Sequence, residues 1–410
     1  MGAQFGLRPR AGSQIHPRPQ RRALALGARR AGGHGMTGLK VGIACWLPLA
    51  PHSGAKTRLF GFLRGLARIS EAQGHEWILL GNSRSPGFAQ LHQLVAQIPG
   101  GQLFSVAIPE SGRQRALAER RILPKVCEEL QLDVLDLQSL PVPHLTQTKI
   151  LTTIHDIRDR GEWRRSRIHK LLAKPLLAQA LKLSARMIVP SPQVRQELKE
   201  LLGEDSEKLQ VVPAGLDRQE LQEETRKGPQ MRFFLNIGRD EARKRLEFLL
   251  RAYAWALERN PKLEMLAQVG ASRRQRLDRL CRQLGIEQRI VWMGELDNAS
   301  LHRVLDDSLA MIFPSALEGF GLPVLEAMTH GRPSVVAKGG PPAWLVGEGG
   351  LQLDGDSIEA FGNAMLRLSA EPEFCTSLGA LAYERAAEFS IERCTRLWLR
   401  QIEAAASSQV

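Results

Sequence analysis

Residues 309–338, LAMIFPSALEGFGLPVLEAMTHGRPSVVAK, hold a strand–loop–helix–strand unit in thirty residues. LAMIF is a continuous apolar run of the kind that fills a strand buried on both faces, and PSVVA repeats it. Between them Pro323 stands near the first turn of a short helix and Gly331 marks its end. Two buried strands joined through a helix pair in parallel, so this stretch decides for an α/β architecture. Its loop carries two glutamates eight apart, Glu318 and Glu326, around Gly319 and Gly321. The glycines let the backbone turn tightly and approach a ligand closely. The amides of Gly321, Leu322 and the helix start would then face an anion, aided by the helix dipole. A carboxylate there repels phosphate unless it binds something neutral, so the two glutamates read as hydroxyl clamps beside a phosphate site. Spacing alone also fits a turn residue followed by a solvated helix acid.

Outward from this unit the same alternation extends in both directions. Upstream lie RFFLNIG, LEMLAQVG and RIVWMG; a first series runs KVGIACWL, EWILLGN, LFSVAIP, DVLDLQ, KILTTIHD, ARMIVPS and KLQVVPAG. The charged, weakly apolar segment 217–230, DRQELQEETRKGPQ, separates the two series and reads as a linker. The expectation is therefore two doubly wound domains, 38–216 and 231–388, with a basic extension over 1–37 and a helix and tail over 389–410. Ligands in such sheets sit outside the carboxyl ends of the strands, so the strand-to-helix turns are the places to inspect.

The turn that opens the second domain, FFLNIGRDEARKRLEFLL, ends a strand at Gly238 and places Arg239 and Lys244 at the helix start. A guanidinium fork and an ammonium point charge at a strand's carboxyl end suit a diphosphate. The neighbouring Arg243 and Arg245 read as surface charges. Beside the acid loop of the same domain, the cluster describes a nucleotide-diphosphate pocket.

Taken together these stretches resemble the GT-B glycosyltransferases of the large retaining group called family 4, marked by a Glu-x7-Glu loop. Glu318 and Glu326 match that loop, NIGRDEARKRLEFLLRAY is similar to the diphosphate turn, and RIVWMGELDNASLHRVLDDSLAMIFPS to the run between them. In the first domain GIACWLPLAPHSGAKTRLFGFL resembles the family's glycine loop, TTIHD its His-Asp strand end, and IVPSPQVRQELKELLGEDSEKLQVVPAGLD its last strand–helix–strand. The likeness spans about residues 39–400. It implies two Rossmann-like domains facing a central cleft, with a C-terminal helix crossing back to the first. It further implies that Arg239 and Lys244 neutralise the donor diphosphate and that Glu326 holds the ribose hydroxyls. Glu318, with the backbone of Gly319, Phe320 and Gly321, would hold hydroxyls of the transferred sugar, and Leu322 would belong to the donor site. Gly54 would close over the diphosphate, and His155 would sit near the reactive carbon. The expected activity is metal-independent transfer of a hexose, such as mannose or glucose, from a nucleotide-diphosphate sugar to a glycan or lipid-linked acceptor, with retention of configuration and no cofactor.

The chain also departs from the family pattern. PPAWLVGEGG has Ala343-Trp344 where the family commonly has Pro-Glu, and Lys56 stands in the glycine loop where a second small residue is common. The only Asp-x-Asp, Asp354-Gly355-Asp356, precedes SIEAFGNAML, and Asp356 reads as a helix N-cap rather than a metal ligand. HSGAKT lacks the leading glycine of a P-loop, and GEGG follows no convincing strand.

Composition bounds the remaining choices. Five scattered cysteines without a CxxC pair speak for a reducing compartment. No apolar run reaches the roughly 18 residues of a membrane span. The net charge of +13 invites a nucleic-acid reading, but seven arginines of the acid-free head (residues 1–35) supply much of it. Between Ile157 and Lys174, IRDRGEWRRSRIHKLLAK holds seven Arg or Lys beside Trp163, Ile168, Leu171 and Leu172. It reads either as a helix packed on its own sheet or as a basic amphipathic helix resting on anionic lipid. The expected location is the cytoplasm, peripheral at the inner face of the membrane, with no nucleic-acid partner. Two rivals stand: a nucleotide-sugar epimerase or hydrolase on the same fold, and a non-enzymic basic protein binding nucleic acid or membrane surfaces.

Overall fold

The computed structural model describes residues 38–46, 54–85, 87–109, 112–157, 167–203, 205–217, 232–270 and 274–408. The basic head and all of the expected linker except Asp217 lie outside the described residues.

Two parallel sheets carry the chain. The first takes β1 (Lys40–Ala44), β2 (Glu76–Gly81), β3 (Gly101–Ser105), β4 (Val134–Leu137), β5 (Lys149–Thr153), β6 (Arg186–Val189) and β7 (Leu209–Val211), in the order β3-β2-β1-β4-β5-β6-β7. The second takes β8 (Phe233–Ile237), β9 (Met265–Val269), β10 (Ile290–Gly294), β11 (Ala310–Phe313), β12 (Ser334–Ala337) and β13 (Gly350–Leu353), in the order β10-β9-β8-β11-β12-β13. Between them run α1 (Gly54–Arg68), α2 (Phe88–Val95), α3 (Gly112–Leu130), α4 (Arg167–Leu183), α5 (Pro192–Leu202), α6 (Leu246–Arg259), α7 (Arg274–Gln283), α8 (Asn298–Asp307), α9 (Leu322–Thr329), α10 (Pro341–Val346), α11 (Ile358–Ala370), α12 (Pro372–Ala386) and α13 (Ile391–Ala406).

The strands are apolar because helices cover both faces: β11 is buried throughout, and β1 and β8 in all but one residue. Helix α6 buries Leu246, Leu249, Leu250 and Tyr253, one face at helical spacing. It packs on α11 at Gly362, where a Cβ would come within 2.3 Å of the Trp255 ring. The strand β13 was not among the expected ones. It is short, half-buried and preceded by glycines, so GLQL carries little apolar signal.

Strand order reverses between β1 and β4 in the first sheet and between β8 and β11 in the second. At such a switch point neighbouring turns diverge to opposite faces and leave a crevice. The turns leaving β8 and β11 are the diphosphate turn and the acid loop.

The C-terminal helix α13 returns to the first domain. Ser390 caps it by accepting from the Arg393 amide, and Trp398 stacks on Phe62 of α1 with ring centroids 5.0 Å apart. At Gly65 of α1 a Cβ would lie 1.9 Å from the Thr395 hydroxyl, so only glycine lets the helices approach this closely. Arg396 pairs with Glu71 at 2.7 Å, and Arg68 with Asp217 and Glu392, along the exposed edge of the contact.

Candidate active site

The diphosphate turn begins where β8 ends. The Gly238 amide donates to the Val269 carbonyl at 2.9 Å, and the Gln268 side chain donates to the Gly238 carbonyl at 2.7 Å. Arg239 leaves this point toward the rim, half exposed, 3.3 Å from Glu295. A one-turn 3-10 helix over Ala242–Lys244 follows, and Arg245 closes it at φ +55°, a left-handed position. That turn points Lys244 inward: its ammonium lies 4.7 Å over the Phe313 ring of β11 and 2.6 Å from Glu318 Oε1.

Arg243 and Arg245 correct the reading as surface charges. Arg243 is mostly buried and donates to Glu318 Oε1 and to the Leu317 carbonyl, both at 3.1 Å. Arg245 pairs with Asp356 at 2.7 Å and lies over the Phe248 ring. The expected cap is corrected too: Ser357, not Asp356, caps α11, accepting from the Ala360 amide at 3.1 Å. Asp356 is taken up by Arg245, and Asp354 accepts from the Asp356 amide at 3.1 Å. Among the described residues no three His, Cys, Asp or Glu gather as metal ligands.

The acid loop runs from Pro314 to Gly321. Glu318 is largely buried, and burial pushes its carboxyl up; the charges of Lys244 and Arg243 and the hydrogen bonds from Lys244 and Ser315 outweigh that and hold it below the ordinary range. Glu326, on α9, has only the more distant charge of Lys244 against its burial and is pushed up to about 7. The two carboxyls are thus pushed in opposite directions, Glu318 down by its cations and Glu326 up by its burial. Gly321 takes φ +105° and its carbonyl accepts from the Val324 and Leu325 amides, which starts α9 at a left-handed residue. Phe320 turns its ring into an aromatic cluster with Trp344 and Phe389, centroids 6.2 and 5.9 Å away, and so anchors the loop from behind.

The first domain meets this loop directly. A Cβ on Gly319 would fall 1.9 Å from the His155 carbonyl oxygen, so the loop lies against the strand end that carries His155. The Ser191 hydroxyl donates to the Gly319 carbonyl at 2.9 Å while capping α5. Gly54, at the start of α1, faces Leu322, whose Cδ1 would lie 3.2 Å from an added Cβ. The His155 ring stands 3.2 Å from the Gln138 side chain, across Nε2 and Oε1. Gly54, His155, Glu318, Gly319 and Leu322 are therefore brought together, with Lys244 joined to them through Glu318; Arg239 lies at the rim.

An open cleft of 740 Å³ lies beside the anchor, lined by Gln193, Trp344 and Arg385 among others. None of Glu318, Glu326, Arg239 or Lys244 lines it, so the convergent side chains and not this cleft define the site. Sequence reading missed Arg243, Ser315, Ser191 and Gln138. Only Arg243 had a signal, its place next to Lys244, and nothing in the spacing shows which of three adjacent cations reach Glu318.

Chemically the site combines an inward ammonium, a rim guanidinium and a helix start, which suit a diphosphate, with two carboxylates suited to hydroxyls. Two family models match: glycosyl transferases group 1 over residues 217–385, and Glycosyltransferase Family 4 over 52–220. The D-inositol 3-phosphate glycosyltransferase of Nocardia farcinica is 27% identical over 234 residues, 53% of this chain and 51% of that protein. The chain thus spans about half the length of this curated relative. Among solved structures, sucrose-phosphate synthase from Thermosynechococcus elongatus superposes with a TM-score of 0.70 at 18% identity, over 90% of this chain and 100% of that one. Anabaena Alr3699/HepE, solved with UDP and glucose, gives 0.67 at 17%, over 89% and 99%. One model falls on each parallel-sheet domain and structural neighbours span both, so the chain has the GT-B fold and its two halves support a group 1 glycosyltransferase.

Proposed function

We propose that this protein transfers a hexose from a nucleoside-diphosphate sugar to a hydroxyl of a glycan or lipid-linked acceptor, with retention and without a metal. The observation that carries the reading is the junction at Gly319, where the acid loop with its Lys244–Glu318 pair rests on the His155 strand end. Donor machinery of the second domain then faces a polar group of the first across one reacting carbon. Arg239 and Lys244 neutralise the diphosphate, Glu326 accepts from the ribose hydroxyls, and Glu318 accepts from a hydroxyl of the sugar. Gly54 closes over the diphosphate, and His155 lies at the sugar's reactive carbon.

In the reaction the bond from the anomeric carbon to the diphosphate oxygen breaks, leaving positive charge on the sugar and negative charge on the phosphate. The acceptor oxygen bonds to the same carbon from the same face, and its proton passes to the departing phosphate oxygen. Fixed cations and amides aimed at that developing charge supply the acceleration, each on the order of 3 kcal/mol. Metal independence rests on those cations, and treatment with EDTA should leave the rate intact. The structural neighbour solved with UDP and glucose supports a UDP-hexose as a first donor to try, beside GDP-mannose. The decisive assay offers purified protein a panel of both nucleotides' sugars with a lipid-linked or glycan acceptor and reads nucleotide release and the product's anomeric configuration by NMR. Product of inverted configuration, or release that ignores the acceptor, refutes the reading.

Attachment to an anionic membrane at the cytoplasmic face is part of the proposal. It is supported by the seven Arg or Lys between Ile157 and Lys174, most of whose side chains lie outside the described residues. Among the described residues no helix is long and apolar enough to cross a membrane. Flotation with anionic and neutral vesicles at low and high salt tests the contact, and indifference to anionic vesicles at low salt removes it.

A further inference from the structure

We infer that Arg243 is a positioning residue for the transfer step: it holds Glu318 by one oxygen, ionised and aimed, when the donor diphosphate draws on Lys244. The inference rests on the proposed function and adds to it a residue and a division of labour between the two carboxylate oxygens.

The hydrogen bonds between side chains at Glu318 converge on Oε1: Ser315 Oγ at 2.6 Å, Lys244 Nζ at 2.6 Å and Arg243 Nη1 at 3.1 Å. With Oε1 taken by three donors, Oε2 is the atom that serves a sugar hydroxyl. Arg243 is itself sewn to the loop. Its Nη1 donates to the Leu317 carbonyl at 3.1 Å, and its carbonyl accepts from the Ala316 amide at 2.8 Å and faces the Ser315 hydroxyl at 3.1 Å. Glu241 at 2.7 Å from Nε holds the other side of the guanidinium. These contacts are independent of any ligand, whereas Lys244 has two customers.

A phosphate arriving at Lys244 competes with Glu318 for the same ammonium. A largely buried carboxylate that loses a compensating charge takes up a proton and then offers one acceptor fewer. The planar guanidinium beside it, too tightly tied to follow the phosphate, keeps the carboxylate ionised and its free oxygen in place. Lys244 serves the donor; Arg243 serves the acid.

The test compares wild type with Arg243→Met, which keeps bulk without charge, and Arg243→Lys. UDP and GDP affinities are measured by calorimetry, transfer from UDP-glucose and GDP-mannose by steady-state kinetics over pH, and Glu318 titration by NMR in the ligand-free protein. Arg243→Met should keep nucleoside-diphosphate affinity within about twofold while kcat falls roughly tenfold to a hundredfold, the size of one charged hydrogen bond. The acid limb of the kcat profile and the Glu318 titration should both move upward, and Arg243→Lys should recover part of each. Wild-type kcat and an unmoved acid limb in Arg243→Met overturn the inference. So does equal loss of diphosphate affinity and thermal stability, which marks a loop brace only. If wild type binds neither UDP nor GDP, the proposed function falls and takes this inference with it.

Discussion

Replacing Glu326 by glutamine should stabilise the ligand-free protein at pH 8 and leave it nearly unchanged near pH 4. Burial pushes this carboxyl up from an ordinary 4.5 to about 7, with the charge of Lys244 offsetting only part of the effect. The native state therefore holds the proton more tightly than the unfolded chain. The resulting cost to stability is fully present above pH 7 and is relieved as pH falls from 7 toward 4.5. The gap between the two values corresponds to on the order of 3 kcal/mol. Glutamine never ionises and escapes that cost. The assay is chemical denaturation of both proteins between pH 4 and 8, read as the difference between them, because Asp136, also buried and raised to about 7, contributes equally to each. The same proton couples to binding. In the proposed function ribose hydroxyls donate to the ionised form, so uridine or guanosine affinity should weaken by up to about tenfold per pH unit below 7 in wild type and stay flat in the variant. Nucleosides are the right probes because they carry no titrating phosphate. Parallel stability curves for the two proteins across this range would refute a Glu326 carboxyl raised by its surroundings.

Lys244→Ala should weaken UDP or GDP binding more than Arg239→Ala, since Lys244 points inward and Arg239 is half exposed beside Glu295; calorimetry showing the reverse order would exchange their roles. Gly319→Ala places a Cβ 1.9 Å from the His155 carbonyl, so it should abolish transfer and lower the melting temperature, and wild-type activity would mean the two segments do not meet. Trp398→Ala removes the ring stacked between Phe62 and Trp77 and should cost about 3–5 kcal/mol, visible as a lower denaturant midpoint. A loss under about 1 kcal/mol would show that α13 contributes little to the first domain.

The sequence by itself determined the parallel α/β architecture, the division into two wound domains, and the turns that carry Glu318, Glu326, Arg239 and Lys244. Each of these is a local property: an apolar run of strand length, a glycine where the backbone must turn, a charge at a strand's carboxyl end. β13 escaped because a short, glycine-led edge strand has too few apolar residues to announce itself. The tertiary structure alone decided where each of three neighbouring cations goes. In the run Arg243-Lys244-Arg245 the three side chains are alike in sequence, and a single 3-10 turn sends one to Glu318 and the Leu317 carbonyl, one to Glu318 over the Phe313 ring, and one to Asp356. It likewise set the two glutamates apart: burial raises both carboxyls, and Lys244 and Arg243, 74 and 75 positions away in the chain, outweigh it only at Glu318. The contact of Gly319 with His155 joins the two domains, and no periodicity within either one encodes it. Charge state and contact depend on what the fold brings near, and that proximity is absent from any window of sequence short enough to read.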